Sequence, residues 1–520
     1  MTISSRTGKS VINAQVNLLS YVAITILGFF SRKVFLDYLG ADFVGLTGTL
    51  GTIIGFLNLA EFGISSAIAF ALYKPLQQDD HGKIGEIVSI LGVLYCRIGA
   101  FISIAGLLVS CFLPLFFEKA QFSTFLLLAC FYSFLFSALI GYFFNYKQLL
   151  LSADQRDYVV VAYFQLSRIL KTLVQMYVAW RYQNLYAWAV IELLFSIWCS
   201  WILNHQIRKT YPWLRASLKE GKHLLSKYPD IIKRTKQVFV HRLKDFILNQ
   251  SDQILIFAFV SLSMVAYYGN YTMLITSLST IFMTALQGMW ASIGNLVSEG
   301  NRASIKRVFW ELLSLRYLIA GIVLYAAWNY VAPVIILWLG EKYVLDPTIL
   351  FLLLCVSYVS LTRGVVDMYN GAYGHWGDTW SAWTEGFINL TASLICGYLW
   401  GIVGLLIGKL ASLVPIILIW KPYYLYSQGF KEKVGEYWVA IGKYAVCFAV
   451  AVGISYACRS GLSVWLPVPE ESFLALCLTG CTDGVIFVAL YAGLLYASTK
   501  GFRDLTARAV GIVKSKLLHS

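Results

Sequence analysis

The sequence predicts an all-α polytopic membrane protein with about fourteen transmembrane helices. Of its 520 residues, 58% are hydrophobic and only 13% are charged, and the mean hydropathy is +0.68. Apolar runs of about 18 to 25 residues recur along the chain, and each is long enough to cross about 30 Å of hydrocarbon. Ordinary globular domains contain fewer apolar and more charged residues, so the composition alone indicates a chain that lies mostly within a bilayer.

The predicted spans follow one another with short connections. None of the outside connections is long enough to fold as a soluble catalytic domain, and the longest inside connection is one basic segment near the middle of the chain. The predicted spans are Val11–Phe30, Phe43–Leu72, Ile84–Phe117, Phe122–Tyr146, Tyr158–Trp180, Leu185–His205, Gln237–Val260, Val265–Val297, Val308–Leu339, Thr348–Tyr369, Trp380–Leu399, Ile402–Tyr424, Trp438–Ala457 and Phe473–Tyr496.

The distribution of Lys and Arg predicts the orientation. Basic residues favour cytoplasmic loops, and most of the 41 in this chain fall on one side if the N-terminus is cytoplasmic. Both termini are then expected in the cytoplasm, in a bacterial inner membrane. The formal charge of +14 is therefore interpreted as a topology signal, and no nucleic-acid partner is expected.

The middle of the chain separates two groups of six spans. We predict an N-terminal lobe over residues 1–206, a basic cytoplasmic amphipathic linker over 207–236, and a C-terminal lobe over 237–430. Residues 431–520 would then form two extra spans and a basic cytoplasmic tail. The linker is rich in Lys and Arg, so it is expected to lie along the anionic inner leaflet.

The two lobes resemble a repeat. A nearly constant shift along the sequence aligns Ile87 with Val308, Asn145 with Asn370, and Asp154 with Asp378. Because six spans are an even number, the lobes would have the same orientation in the membrane. Parallel repeats around a central cavity are a transporter architecture.

The stretch from His241 to Phe257 carries the most polar face of any predicted span. Arg242, Asp245, Asn249 and Asp252 follow at intervals of three, four and three residues, which places them on one helical side. A charge at the bilayer centre costs about 2.5 to 3.5 kcal/mol on insertion scales, so this side must face protein or water. For Arg242 near the boundary, snorkelling to the interface is the alternative.

Other charges within spans are candidates for a cavity lining or for internal pairs. Arg363 and Asp367 stand four residues apart on one helix, which is also the spacing of a structural ion pair. Glu61 is either a protonatable switch or a buried carboxyl bonded to a neighbouring helix. The candidate headgroup cations are Arg32, Arg97, Arg168, Lys171, Arg242 and Arg363, and the candidate coupling or gate residues are Glu61, Asp245, Asn249, Asp252 and Asp367.

Signatures of catalysis are missing from the sequence. The six His residues are scattered, and the ten Cys residues form no C-x-x-C pair, so neither a metal site nor a catalytic residue is expected. No nucleotide-binding loop occurs. We therefore predict that the chain is not an enzyme and needs no cofactor, with H+ or Na+ as possible coupling ions.

Residues 31–76 carry a resemblance to a known family. An Arg precedes an LG-x-x-x-x-GL element, which is followed by L-x-L-A-E-F-G-I-x-x-A-I and LYKPL. The run is similar to the polysaccharide and O-antigen flippases, which move lipid-linked oligosaccharides and belong to the multidrug/oligosaccharidyl-lipid/polysaccharide (MOP) exporter superfamily. The residues that carry this resemblance are Arg32, Leu39, Gly40, Gly45, Leu46, Leu57, Leu59, Ala60, Glu61, Phe62, Gly63, Ile64, Ala67 and Ile68.

The resemblance implies a flippase function. A glycan linked to undecaprenyl pyrophosphate would move from the inner to the outer leaflet by alternating access, for surface polysaccharide or lipopolysaccharide synthesis. The expected partners are this lipid-linked glycan, membrane lipids, and glycosyltransferases or a polymerase of the same pathway. A lipid II flippase, a multidrug cation antiporter and a membrane-embedded glycan polymerase or ligase are the alternatives.

Overall fold

The computed structural model confirms the predicted fold class. It describes residues 6–61, 63–118, 120–225, 227–229, 235, 251–287, 289–374, 378–465 and 472–518, and this part of the chain is helical, without strands. The chain divides into two compact units, Met1–Ala266 and Tyr267–Ser520. The predicted lobe boundaries near residues 206, 236 and 430 stay predictions.

Three helices of the first unit begin at a residue whose side chain caps them. Asp80, Ser123 and Asn184 each accept a hydrogen bond from the backbone N–H three residues later, which satisfies a free donor of the first helical turn. The helices of this unit are α1 (Arg6–Tyr38), α2 (Ala41–Leu57), α3 (Ile64–Gln77), α4 (His81–Phe116), α5 (Thr124–Phe143), α6 (Gln148–Ala153), α7 (Asp157–Tyr182), α8 (Leu185–Thr210), α9 (Leu218–Leu224) and α10 (residues 251–259).

The second predicted span is broken, so its prediction as one helix is wrong. A short 3₁₀ turn, Asn58–Glu61, separates α2 from α3. Gly63 then adopts a left-handed conformation with φ +99°, which a residue with a side chain rarely takes. Two polar residues, Asn58 and Glu61, lie at the break, but the residues around them are apolar, so the apolar content of the whole segment did not reveal it.

The described part of the predicted linker packs against α4. The Ser217 backbone N–H donates to Ser89 Oγ over 3.0 Å, and Trp213 stacks on His81 with ring centroids 3.7 Å apart. Lys227 and Tyr228 both donate to the Glu86 carboxylate. This part of the segment therefore has protein contacts, and its predicted attachment to the inner leaflet stays a prediction.

The second unit is built around long helices and an aromatic core. The Phe309 ring lies 5.2 Å from those of Tyr369 and Phe430. Two π-helical stretches, Val414–Trp420 and Leu425–Phe430, flank the single turn α17. The helices are α11 (Leu262–Gln287, which begins in the first unit), α12 (Met289–Glu299), α13 (Arg302–Leu339), α14 (Pro347–Thr362), α15 (Gly364–Ala372), α16 (Thr379–Leu413), α17 (Lys421–Tyr424), α18 (Gly435–Trp465), α19 (Phe473–Ser498) and α20 (Lys500–Leu518).

A sharp turn at Trp400 and Gly401 divides α16 into a helical hairpin. Gly401 has φ +58° and ψ −133°, outside the helical region. The two arms then approach closely, because a Cβ on Gly404 would collide with the backbone of Cys396. The break lies where the sequence predicts the boundary between the eleventh and twelfth spans.

Nine helical stretches among the described residues are long and apolar enough to cross a membrane. The chain is therefore a multi-pass membrane protein, although this number is below the predicted fourteen. The hairpin of α16 lies within one stretch, Trp380–Phe430. The second predicted span is divided into two helices, and α7 and α11 are richer in polar side chains. The seventh predicted span falls largely on residues 236–250, outside the described residues.

Equivalent helices of the two units begin at positions separated by nearly the same number of residues as the shift that aligns the two halves of the sequence. Helix α4 begins at His81 and its counterpart α13 begins at Arg302. Helix α7 begins at Asp157 and its counterpart α16 begins at Thr379, which is nearly the same separation along the chain. The same order of a long helix, a shorter helix and an antiparallel pair thus occurs in each unit.

Candidate functional site

Glu61 lies at the break between α2 and α3, where other helices supply its hydrogen-bond donors. The Tyr95 hydroxyl of α4 donates to Glu61 Oε1 over 2.5 Å, and the Tyr142 hydroxyl of α5 donates to Oε2 over 3.0 Å. Ser65 Oγ adds a third bond of 3.1 Å. Because both tyrosines are buried, these bonds hold the carboxylate where the chain leaves the helix. The arrangement suits a group whose charge controls how three helices are held together.

Lys171 and Glu192 form a polar pair between α7 and α8. Lys171 Nζ lies 2.5 Å from Glu192 Oε1, and Gln175 Nε2 donates to Glu192 Oε2 over 3.2 Å. Gln175 also donates to the Trp188 carbonyl. Lys171 and Gln175 thus lie on the same side of α7, and the charge of Lys171 is balanced by Glu192.

Three other cations of the first unit have different surroundings. Arg32 Nη2 donates to the Ala266 carbonyl over 2.8 Å, so this guanidinium fixes the start of α11 to α1. Arg97 on α4 and Arg168 on α7 are exposed. A charge that faces lipid is costly, so exposed arginines in the middle of such helices favour contact with water or a polar ligand.

In the second unit, Arg363 joins α14 to α15 as part of an acidic and basic cluster. Arg363 Nε lies 2.7 Å from Asp367 Oδ2, and its Nη1 lies 3.9 Å from the buried Glu385 Oε1. The i,i+4 ion pair considered in the sequence therefore forms. Arg363 and Asp367 are brought together, as a cation and its neutralising carboxylate.

Arg316 of α13 is the buried cation of this region. Its Nη1 donates to the Leu361 carbonyl over 3.1 Å and contacts Met283 Sδ over 3.3 Å. The shift between the repeats carries Tyr95 onto Arg316 and Tyr142 onto Asp367. In the second unit, the positions equivalent to Tyr95 and Tyr142 are therefore occupied by charged residues. Phe282 lies at the position equivalent to Glu61.

Part of the predicted polar stripe cannot be placed. Arg242, Asp245 and Asn249 lie outside the described residues, and Asp252 is half-buried on α10.

Among the aromatic residues, Tyr271 is fully buried and its hydroxyl accepts a hydrogen bond from the Leu345 N–H over 2.9 Å. This tyrosine is therefore a packing residue.

Two aspartates at equivalent repeat positions each bind side chains that lie beyond the pair of helices that follows them. Asp154 accepts a 2.8 Å hydrogen bond from the Tyr211 hydroxyl and pairs with Arg156 at 2.8 Å. Asp378 accepts from Trp420 Nε1 over 3.0 Å and from Lys421 Nζ over 2.6 Å. Burial, followed by the nearby Asp154 charge, raises the pKa of Tyr211. The sequence shift aligned these two aspartates but did not indicate which side chains they bind.

No group of His, Cys, Asp and Glu side chains in the described part of the chain is arranged to hold a metal ion. All ten cysteines are free.

The fold has solved counterparts among membrane transporters. The inward closed conformation of the lipid II flippase MurJ matches with a TM-score of 0.64 and 13% identity, over 92% of this chain and 99% of that chain. An inward-facing multidrug resistance MATE family transporter of the MOP superfamily matches with a TM-score of 0.55 and 13% identity, over 76% of this chain and 92% of that chain. No protein-family model and no curated protein matches the sequence.

Because the sequence identity is 13% in both cases, these comparisons establish the fold alone. Both solved structures are named as transport proteins. The chain is an all-α, multi-pass membrane protein with the transporter fold that the lipid II flippase MurJ and the MATE transporter of the MOP superfamily share.

Proposed function

We propose that this chain is a flippase for a glycan carried on undecaprenyl pyrophosphate, which it moves from the inner to the outer leaflet of a bacterial inner membrane. The observation that carries the proposal is the match to a flippase over 92% of the chain. Helices α18 to α20 make up about one sixth of the 520 residues, so a match of that extent includes part of them. The motif resemblance over residues 31–76 supports an oligosaccharide as the cargo.

A protein is needed because the polar headgroup of such a lipid does not cross the hydrocarbon of the bilayer readily. Moving phosphates and sugar hydroxyls into hydrocarbon without replacement hydrogen bonds costs several kcal/mol for each group. Arg97 and Arg168 are exposed near the middle of α4 and α7. A guanidinium can donate two parallel hydrogen bonds to a phosphate, so these arginines are our first choice for the diphosphate. Arg32 and Arg363 already have protein partners and are expected to contribute less directly.

Coupling is assigned to the Glu61 site. Protonation of Glu61 would remove the charge that Tyr95 and Tyr142 hold in place, and so loosen α3 from α4 and α5. An H+ gradient can thereby bias one conformation over another, provided that the two conformations differ in affinity for the proton. Na+ bound by the same carboxylate is the alternative coupling ion.

Lipid II is a second candidate cargo, because the flippase with this fold is named for it. Both cargoes present the same chemistry to the protein, a diphosphate between sugar and lipid. They differ in physiology. Loss of lipid II flipping should stop growth, whereas loss of a surface glycan should leave the cells viable.

The deciding experiment removes this gene from a strain that keeps its glycosyltransferases. We expect viable cells without surface polymer, whose complete pyrophosphate-linked glycans accumulate where externally added glycosidase cannot reach them. Accumulated glycan that the enzyme digests from outside would mean that flipping is intact and would contradict the proposal. Growth arrest with accumulated lipid II would assign the second cargo, and changed drug susceptibility alone would indicate a multidrug transporter.

A further inference from the structure

A second site of different chemistry lies in the second unit, at the ends of three helices. A cavity of about 840 Å³ lies between the first turns of α13, the first turns of α18 and the junction of α19 with α20. Its size falls within the usual range for small-molecule sites, about 300 to 1,000 Å³. None of the candidate headgroup or coupling residues lines it.

The charges around this cavity are mainly positive. Four cations and two carboxylates line it, namely Lys306, Arg307, Lys443, Lys500, Glu436 and Asp504. Lys306 is already neutralised, since its Nζ lies 2.5 Å from Glu432 and 3.2 Å from Glu436. Lys443 and Lys500 are exposed and make no ion pair with any residue that the structure describes. Two ammonium groups are therefore available to an anion.

One wall of the cavity is apolar. Trp310, Ala440 and Val439 contribute to it, and Val439 is 62% exposed. This wall belongs to the first turns of α13 and α18, which are both candidate membrane spans. A ligand that places its charge near the lysines could thus extend along these helices into hydrocarbon.

The cavity is positioned at the boundary of the membrane. Helix α13 begins, α18 begins and α19 ends beside it, so the three spans share one side. Helix α20 then leaves the site as a basic helix with Lys500, Arg503 and Arg508, and is anchored to α13 by an ion pair of 3.0 Å between Arg508 and Glu311. The excess of Lys and Arg predicts that this side faces the cytoplasm, where anionic lipids attract such residues.

We propose that this cavity binds the headgroup of an anionic phospholipid, with the phosphate at Lys443 and Lys500 and the acyl chains along Val439 and Trp310. A soluble phosphate compound would use the lysines but not the exposed apolar wall. The bound lipid would join the appended helices α18 to α20 to α13, as a structural lipid outside the proposed transport route. This inference does not depend on the proposed function, because binding is measured without transport.

The test uses the purified full-length chain in a neutral detergent. Short-chain phosphatidylglycerol is titrated, and the apparent affinity is taken from the rise of the thermal unfolding midpoint, since a ligand that binds the native state stabilises it. Phosphatidylcholine with the same chains and glycerol 3-phosphate are titrated in parallel. We expect phosphatidylglycerol to bind at least tenfold more tightly than either.

The variant for this test reverses the two available charges, Lys443→Glu with Lys500→Glu. It should lose at least tenfold in apparent affinity for phosphatidylglycerol. The matched control is Lys74→Glu with Lys342→Glu, which makes the same charge change on exposed lysines outside both the cavity and the basic linker and should bind as the wild type does. If the first variant does not fold, Lys443→Gln with Lys500→Gln replaces it, with the same direction expected.

Three results would overturn the proposal. Equal affinity for phosphatidylcholine would remove the anionic specificity, and equal affinity for glycerol 3-phosphate would assign the site to a soluble phosphate compound. Affinity for phosphatidylglycerol within twofold of wild type in the lysine variants would show that any anionic lipid binds elsewhere.

Discussion

At the scale of single residues, the candidate cations separate into two kinds that the sequence cannot distinguish. Lys171 and Arg363 have carboxylate partners within 3 Å, whereas Arg97 and Arg168 are exposed on their helices. Sequence spacing offered the Arg363–Asp367 pair as one of two interpretations, because four residues separate these positions along the chain. Glu192 belongs to a different helix from Lys171, and only tertiary packing reveals that pair.

We expect Arg97→Ala and Arg168→Ala each to lower transport of the lipid-linked glycan at least tenfold, because each removes a cation that we assign to the diphosphate. A tenfold effect corresponds to about 1.4 kcal/mol, within the range of a charged hydrogen bond. The control is Lys219→Ala, which changes an exposed side chain on α9 and should transport normally. The measurement is restoration of surface glycan in the deletion strain, at matched protein levels. Normal transport by both arginine variants would remove them from the site.

Replacing Glu61 with Gln should abolish the response of transport to an imposed H+ gradient, because the amide cannot take up a proton. Tyr142→Phe removes only one donor to the same carboxylate, so it should keep the response while lowering thermal stability by about 1 kcal/mol. The measurement is flipping in proteoliposomes with and without a pH difference. A gradient response that survives in Glu61→Gln would place coupling elsewhere.

Asp80 gives a prediction about pH, because it caps α4 from outside the membrane-spanning segments. Its hydrogen bond from the Lys83 backbone N–H holds the pKa of the carboxyl below the ordinary value of 3.8. A lowered pKa means that the charged cap stabilises the folded chain above pH 3.8 and that this contribution disappears as the pH falls through the folded value. The thermal midpoint of Asp80→Ala should therefore lie below that of wild type at pH 7, and the difference should shrink below pH 3.8. A difference unchanged at pH 3 would contradict the assignment.

At the scale of elements, apolar periodicity predicted where helices lie but not where they break. The start of α8 agrees with its predicted span, and that of α4 lies within three residues of its own. The interruption at Asn58–Glu61 has only a weak hydropathic signal, because its two polar residues lie among the apolar Leu57, Leu59 and Ala60. Gly63 was the available indication, and its left-handed φ explains why that residue is needed.

The close arms of the α16 hairpin predict that Gly404→Val will destabilise the second unit. The added Cβ would meet the Cys396 backbone, which cannot move aside like a side chain. We expect a loss of about 1 to 3 kcal/mol, typical of overpacking. Gly453→Val on α18 is the control, since nothing lies within 4 Å of the position where its Cβ would be. Thermal unfolding in detergent measures both, and equal midpoints would disprove the close approach.

The contact between α7 and α8 can be measured with a double-mutant cycle on Lys171 and Glu192. Lys171→Met leaves the Glu192 carboxylate mostly buried without its cation, a change that typically costs about 3 kcal/mol or more. Lys171→Met with Glu192→Gln should recover much of that loss, because no charge then remains. Additive effects on the free energy of unfolding would show that the two side chains do not interact.

At the scale of the whole chain, the sequence predicted an all-α transporter and an internal repeat, because both follow from composition and from a nearly constant shift. It could not predict what each repeat does with equivalent positions. Tyr95 and Tyr142 bind Glu61 in the first unit, while the corresponding Arg316 and Asp367 carry the charges in the second. The side-chain contacts, and not the spacing, reveal this exchange of roles.

The turn at Trp400 and Gly401 also affects how the protein is made. Only two residues connect the arms of α16, so we expect the arms to insert into the bilayer together as a helical hairpin. Both arms then cross or neither does. A tag placed between Leu399 and Ile402 should block biogenesis, even though the turn lies between two helices.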